Sequence, residues 1–266
     1  MSNAFGALEA GMRRGWIEFR QKVTSAWDLW GEVWLWVIAL VVMYMLRGRT
    51  VPGTDFSLGA QAVPGILGFS IVYTGLLGLS MALTTEREDG TLLRMKAVPD
   101  GMRGYLVGKV LSRAGVTVAC LVLMLVPAAL VFDGLAVGRA TSWATLLWVV
   151  ALGLVALLPF GAIVGALSAG VRGIGLLTLP VMGLLGISGI FHPITALPGW
   201  VQAVAQVFPV YWLGLGMRSA LLPDHLALAE LGGSWRHAET VAVLGGWALL
   251  GFVIAPVVLR RMARRA

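Results

Sequence analysis

Catalysis needs reactive side chains in register, and this chain of 266 residues offers few. Its three histidines, His192, His225 and His237, lack the spacing of metal ligands. The hydroxyls Thr74, Ser80, Thr117, Thr178 and Ser188 lie in apolar runs with no base beside them, so back-bonding to helix carbonyls is the better reading. Gly104-Tyr105-Leu106-Val107-Gly108-Lys109-Val110 approaches a phosphate-cradling loop. Its spacing is one residue short, and Val110 replaces the magnesium-binding hydroxyl. It reads as the foot of a membrane helix. Cys120 is the single cysteine and can form no intrachain disulfide. A membrane enzyme would need a nucleophile, a base or metal ligands at membrane depth, and the pattern supplies none of them. What remains is docking chemistry. The hexapeptide Glu86-Arg87-Glu88-Asp89-Gly90-Thr91 is dense in charge and stands between two long apolar runs, Val63–Leu83 and Val107–Phe132.

The elements that must position this hexapeptide follow from composition. The chain is 58% hydrophobic and only 12% charged, with a mean hydropathy of +0.86. A soluble domain carries about 25% charged residues. There is too little polar surface to cover a water-soluble globule, so lipid is the solvent for most of the chain. Six stretches are long and apolar enough to cross a bilayer: Leu29–Leu46, Val63–Leu83, Val107–Phe132, Trp143–Ser168, Ile174–Phe191 and Thr240–Leu259. Glu32, near the start of the first, is expected at the interface, because a mid-membrane carboxylate is costly. No secretory signal peptide is expected, since the first thirty residues are mixed and amphipathic.

Basic residues orient these spans. An even number of crossings puts both termini on one side. Placing them inside puts Arg13, Arg14, Arg20, Lys22, Arg87, Arg94, Lys96, Arg103, Lys109, Arg113, Arg172, Arg260, Arg261, Arg264 and Arg265 in the cytoplasm. Only Arg47, Arg49, Arg139, Arg218 and Arg236 are left outside, out of 20 Lys and Arg residues. This bias satisfies the positive-inside rule and explains the net charge of +7 by topology. The basic residues face anionic lipid headgroups, and nucleic acid is not an expected partner. Trp27 and Trp30 mark the inner end of the first span; Trp143, Trp200, Trp212 and Trp235 cluster near the outer face.

Three segments are not spans. Residues 7–28 read as an amphipathic helix, with Leu8, Met12, Trp16, Phe19 and Val23 at three-to-four spacing. It lies on the inner leaflet either as a plain anchor or against a partner protein. In the loop over 85–105, Gly90 ends one helix in a left-handed conformation, Thr91–Val98 forms a short helix, and Pro99-Asp100 ends it. Composition alone reads that loop as a solvated spacer. Residues 192–238 hold few charges and repeated breakers, and Trp200–Phe208 and Tyr211–Leu222 are too short to span and too apolar for water. They fit a re-entrant segment capping the outer ends of the spans.

On these residues the chain resembles the permease subunits of type 2 ABC exporters, which include bacterial drug and antibiotic exporters and, more distantly, the ABCG-type half-transporters. One carrier of the likeness is Glu86-Arg87-Glu88-Asp89-Gly90-Thr91-Leu92-Leu93-Arg94, then Pro99 and Gly108-Lys109. The other is Gly189-Ile190-Phe191-His192-Pro193, Leu197-Pro198-Gly199-Trp200, Pro209 and Arg218. His192 stands where the family usually has an aromatic or small hydrophobe.

The resemblance implies a single permease domain over 1–266: six transmembrane helices, an N-terminal connecting helix over 7–28, a cytoplasmic coupling helix and an outer re-entrant segment. It implies that Glu86, Arg87, Glu88, Gly90, Thr91 and Arg94 couple to an ATPase. It places Phe191, Pro193, Pro198, Trp200 and Pro209 at the outer gate, and Phe69, Tyr73, Leu184 and Ile187 on the cavity lining. The chain carries no cofactor. ATP and Mg belong to two copies of a separate ABC ATPase subunit, and a second permease copy or a related permease completes the assembly in the bacterial inner membrane, with both termini cytoplasmic. The implied function is export of a small hydrophobic or amphipathic compound (a drug, an antibiotic or a lipid-like molecule). Export of a lipid or lipid-linked glycan is the alternative, and an ion-driven secondary transporter lies further off. Gly161-x3-Gly165 and the steps Gly183, Gly186, Gly189 fit close packing, either between copies or within one subunit.

Overall fold

A computed structural model describes residues 2–50, 56–96, 101–168, 170–190 and 194–265. Among these the only β pairing is one isolated bridge between Thr50 and Ser57; the rest is helix and short connections. The chain is an all-α integral membrane protein. Helix α1 (Ser2–Thr24) bends at Ser25 into α2 (Ala26–Met45). Helices α3 (Leu58–Val72) and α4 (Leu79–Glu88) form one rod, joined by a π-helical turn at Tyr73–Gly78. The short α5 (Thr91–Lys96) precedes α6 (Gly101–Val131), α7 (Ala140–Leu167) and α8 (Val171–Ile187). Two short helices, α9 (Gly199–Val207) and α10 (Pro209–Leu221), come before α11 (His237–Arg265).

Five rods are long and apolar enough to span: α2, α3–α4, α6, α7 and α11. The fifth expected span is the short one. Helix α8 has 17 residues, about 25 Å by helical rise. Its ends nonetheless sit at opposite levels of the α3–α4 rod. The Val171 amide donates to Glu88 Oε1 at 3.1 Å, and a Cβ added to Gly65 would lie 2.2 Å from the Ile190 carbonyl oxygen. Residues 65 to 88 of that rod rise about 35 Å. Helix α8 with Ser188–Ile190 therefore runs the length of the bundle beside the five longer rods.

In lipid, helices gain nothing from hiding apolar surface, so small residues and hydroxyls hold them together. The rod α7 is packed this way against α3–α4. A Cβ on Gly161 would meet the Gly75 carbonyl oxygen at 2.5 Å, and one on Gly165 would meet that of Ser80 at 2.9 Å. The Ser80 hydroxyl donates to Gly161 O at 2.8 Å and Thr84 to Gly165 O at 3.3 Å. These glycines pack within the subunit, whereas a Cβ on Gly183 would meet nothing within 4 Å. The two contacts in step make α7 parallel to α3–α4. The Trp148–His237 and Phe160–Trp247 ring pairs, 6.0 and 5.1 Å between centroids, make α11 parallel to α7.

Helix α6 is longer than the bilayer is thick. Its first three turns form a foot at the α5 end of the bundle, and α1 lies along that foot rather than apart from the helices. The contact is glycine on glycine: a Cβ on Gly11 would fall 2.5 Å from Gly104 O, and one on Gly15 2.6 Å from Gly108 O. So Gly104 and Gly108, half of the near-miss phosphate loop, serve backbone-to-backbone packing.

Replacing Gly108 by Val should force α1 off this seat and lower the unfolding free energy in detergent by about 2 kcal/mol. Gly31→Ala, where a Cβ meets nothing within 4 Å, should leave the melting curve unchanged. Equal melting of the two variants would remove the glycine crossing from the requirements of the fold.

Candidate functional site

The charged hexapeptide closes α4 and opens α5. Gly90 adopts φ +76, a left-handed conformation that favours glycine and ends the helix. The Asp89 carboxylate accepts the Thr91 amide at 2.9 Å and starts α5. The Thr91 hydrogen bonds, side chain first and then backbone, hold the Asp89 carboxyl below the usual carboxylate range. This cap is therefore present at neutral pH and is lost only as pH falls through the depressed value.

The neighbouring charges bond to other helices of the chain. The Arg87 guanidinium donates to the carbonyls of Ala166 and Ser168 at the end of α7. Glu88 accepts the Val171 amide at the start of α8. A cation on a helix C-terminus and an anion on a helix N-terminus are each favourable placements. Together they fasten α4 to the α7–α8 corner, where Gly170 turns the chain at φ +84. Glu86 faces α6, accepting from both Tyr105 and Lys109. Lys109 also donates to Glu18 of α1 at 2.6 Å, and Arg14 of α1 lies 5.0 Å over the Tyr105 ring. Next along α6, Arg113 donates to Glu32 of α2 at 2.8 Å, which places Glu32 beside a cation at the bundle's end. Arg14 also reaches Met95 of α5 at 3.0 Å. Among the six expected coupling residues, Glu86, Arg87 and Glu88 are thus bonded within the chain. Arg94 remains exposed beside an exposed Leu93 on α5. Pro99 and Asp100 lie outside the described residues.

At the opposite end α9 and α10 form a broken pair. Pro198 caps α9, Trp200 is exposed, and the buried Pro209 begins α10. Phe208, between the two helices, stacks on Trp247 of α11 at 6.1 Å, and the Trp247 indole donates to Val207 O at 2.9 Å. Trp247 lies ten residues into α11, so the pair dips below the rim and returns. Its inner helix, α10, is buried almost throughout, against α3, α7 and α11. Arg218 near its end is 5% exposed. That guanidinium bonds Glu230 at 2.6 Å and 3.3 Å and the Gly189 carbonyl at 2.7 Å, joining α10, the returning loop and the end of α8. Phe191 and Pro193 of the expected gate lie outside the described residues. Of the expected lining residues, Phe69 and Tyr73 form one aromatic cluster with Trp36, at 5.6 and 6.1 Å from its centroid. Leu184 and Ile187 are half-buried on α8, away from that cluster in sequence and helix.

The model of the ABC-2 family transporter protein matches residues 49–257 of the chain, most of its length. The chain belongs to this family. Among curated proteins no match is found. The ABC-2 permease is accordingly a transmembrane component of an ABC transporter, a membrane subunit distinct from the ATPase with which the family associates. The match begins at Arg49, beyond α1 and α2.

The residues that sequence reasoning missed in the ABC-2 permease are Glu18, Glu32, Lys109 and Arg113 as partners, and Glu230 as the mate of Arg218. A signal was present for the first set. Tyr105, Lys109 and Arg113 recur every fourth residue on one face of α6, as do Arg14, Glu18 and Lys22 on α1, and such positions align on a helix. Two polar stripes of equal period can face each other.

Lys109 is 3% exposed. Lys109→Met should therefore strand Glu18 and Glu86 and destabilise the ABC-2 permease by about 3 kcal/mol. Adding Glu18→Gln and Glu86→Gln to that variant should recover most of the loss, read as the melting temperature in detergent. Failure to recover would mean that Lys109 acts through packing and not charge.

Proposed function

We propose that this ABC-2 permease is the membrane half of an exporter that carries a small hydrophobic or amphipathic compound out of the cell, driven by a separate ATPase. The observation carrying this reading is the fastening of α4 by Arg87 and Glu88 to the α7–α8 corner. A displacement of α5 passes through two charge-assisted contacts into three rods, instead of being absorbed by a slack loop. The exposed Leu93 and Arg94 offer the ATPase an apolar and a cationic contact, and Arg14 on Met95 ties α1 to the same motion. Two permease copies, each with one ATPase binding ATP and Mg, then rock as rigid bodies and alternate access. The basic bias at the α5 end supports placing that end and both termini in the cytoplasm of a bacterial cell.

The cargo class is read from the spans. The Trp36–Phe69–Tyr73 cluster stands beside the π-helical turn at Tyr73–Gly78, and such turns are frequent at functional sites. The surroundings are aromatic and apolar, which suits a hydrophobic drug, an antibiotic or a lipid-like molecule. A lipid or lipid-linked glycan would use the same machinery.

Two variants separate docking from transmission. Leu93→Asp with Arg94→Glu should abolish co-purification of the ATPase while leaving the permease melting temperature unchanged. Arg87→Ala with Glu88→Ala should keep the ATPase bound and hydrolysing ATP but lower export at least tenfold. Export that survives deletion of the ATPase and collapses with an uncoupler would replace this reading with an ion-driven one.

A further inference from the structure

The charges at the α5 end fall into two groups with different balance. In the first, Lys109 and Arg14 stand with Glu18 and Glu86, two cations with two carboxylates. In the second, Lys22 and Arg113 share one carboxylate oxygen, Glu32 Oε1, at 3.8 and 2.8 Å. Two cations there face one anion. Arg113 is 8% exposed, and its Nε has no hydrogen-bond partner. Burial first, and then the Arg113 charge, push the Lys22 ammonium below the usual lysine range, with Glu32 and then Glu18 opposing. Taken together the two groups hold four cations, Arg14, Lys22, Lys109 and Arg113, against three carboxylates, Glu18, Glu32 and Glu86. The exposed charges nearby, Arg20 and Asp28, are one of each sign and do not correct the imbalance.

Position then selects what could correct it. From Arg113 to Val131 α6 rises about 27 Å, close to the roughly 30 Å of bilayer hydrocarbon. Arg113 and its partners therefore stand at the interface. Trp27 and Trp30, both exposed on the first turns of α2, lie where indole rings meet headgroups. The Lys22 side chain is 23% exposed and so is reachable from the interface, whereas Arg113 lies behind it.

We infer that the α1–α2 elbow, at Lys22, Glu32 and Arg113, binds the phosphate of an anionic lipid headgroup. The phosphate supplies the missing negative charge. Lys22 contacts it, Arg113 adds positive field from within, and Trp27 and Trp30 pack on the glycerol and upper acyl region. A zwitterionic lipid brings its own cation and leaves the imbalance in place. The site thus distinguishes lipids by net charge, and this holds whatever the permease transports.

The test uses the purified full chain in detergent, titrated with phosphatidylglycerol, phosphatidylcholine or inorganic phosphate while its melting temperature is followed. Phosphatidylglycerol should stabilise at lower concentration than phosphatidylcholine. Lys22→Gln should cut that preference by about fivefold, the effect of one basic residue near an anionic surface, and Lys22→Arg should retain it. Glu32→Gln, which raises the excess positive charge, should strengthen the preference, and it decides the matter if Lys22→Gln does not fold. No preference in the parent chain, an unchanged preference in Lys22→Gln, or a weaker one in Glu32→Gln would overturn the proposal. Equal stabilisation by inorganic phosphate would overturn the lipid as source and leave a soluble-anion site.

Discussion

A lysine ammonium at 3% exposure between Glu18 and Glu86 is the constraint on which the α5 end depends. Such a charge is costly to remove from water and persists only if its carboxylates hold their positions. Glu18 comes from α1, Glu86 from α4, and Lys109 from α6, so three helices are fixed by one cation. The glycine crossing of α1 on α6 makes this possible. With larger residues at Gly11, Gly15, Gly104 and Gly108 the two backbones would stand apart, and Glu18 would not reach.

That constraint ties α1, α4 and α6 together at the α5 end. Arg87 and Glu88 extend it by engaging the free carbonyls of α7 and a free amide of α8. Helix termini carry unsatisfied backbone groups, and here two termini are satisfied by adjacent residues at the end of α4. The motif that looks in sequence like a charged surface for a partner is, in its first half, internal hardware. Leu93 and Arg94 are exposed and make no bond to another helix among the described residues, whereas Glu88, though exposed, is tied to α8. Residues bonded to other helices and residues left exposed thus lie only a few positions apart.

The opposite end solves a different problem. The α9–α10 pair puts helix ends inside the bundle, and such backbone is tolerable only when protein covers it. Helix α10 is covered by α3, α7 and α11, and the Trp247 indole satisfies the Val207 carbonyl where α9 ends. Arg218 and Glu230 close the structure above it, buried and paired. This end is held by packing and the buried Arg218–Glu230 pair, with Arg139–Asp224 and Arg236–Glu239 at its more exposed rim, whereas the α5 end is held by a network centred on buried Lys109.

By itself the sequence determined the solvent, five of the long apolar rods and the helical nature of the elements. A chain with 12% charge cannot cover itself for water, apolar runs have the length of a bilayer, and a glycine among charges at the end of an apolar run marks a helix end, as Gly90 does. It also determined that residues 199–221 could not span, because proline and length forbid it. Tertiary structure alone decided partners. Whether Glu86 meets an ATPase or Lys109, and whether Gly108 bends a loop or seats α1, depends on which helix faces lie opposite each other, and residue type carries no such information. The shortness of α8 was decided there too. Val171–Ile187 falls below the usual length, and only its contacts with Glu88 at one end and Gly65 at the other show that it runs the length of the bundle.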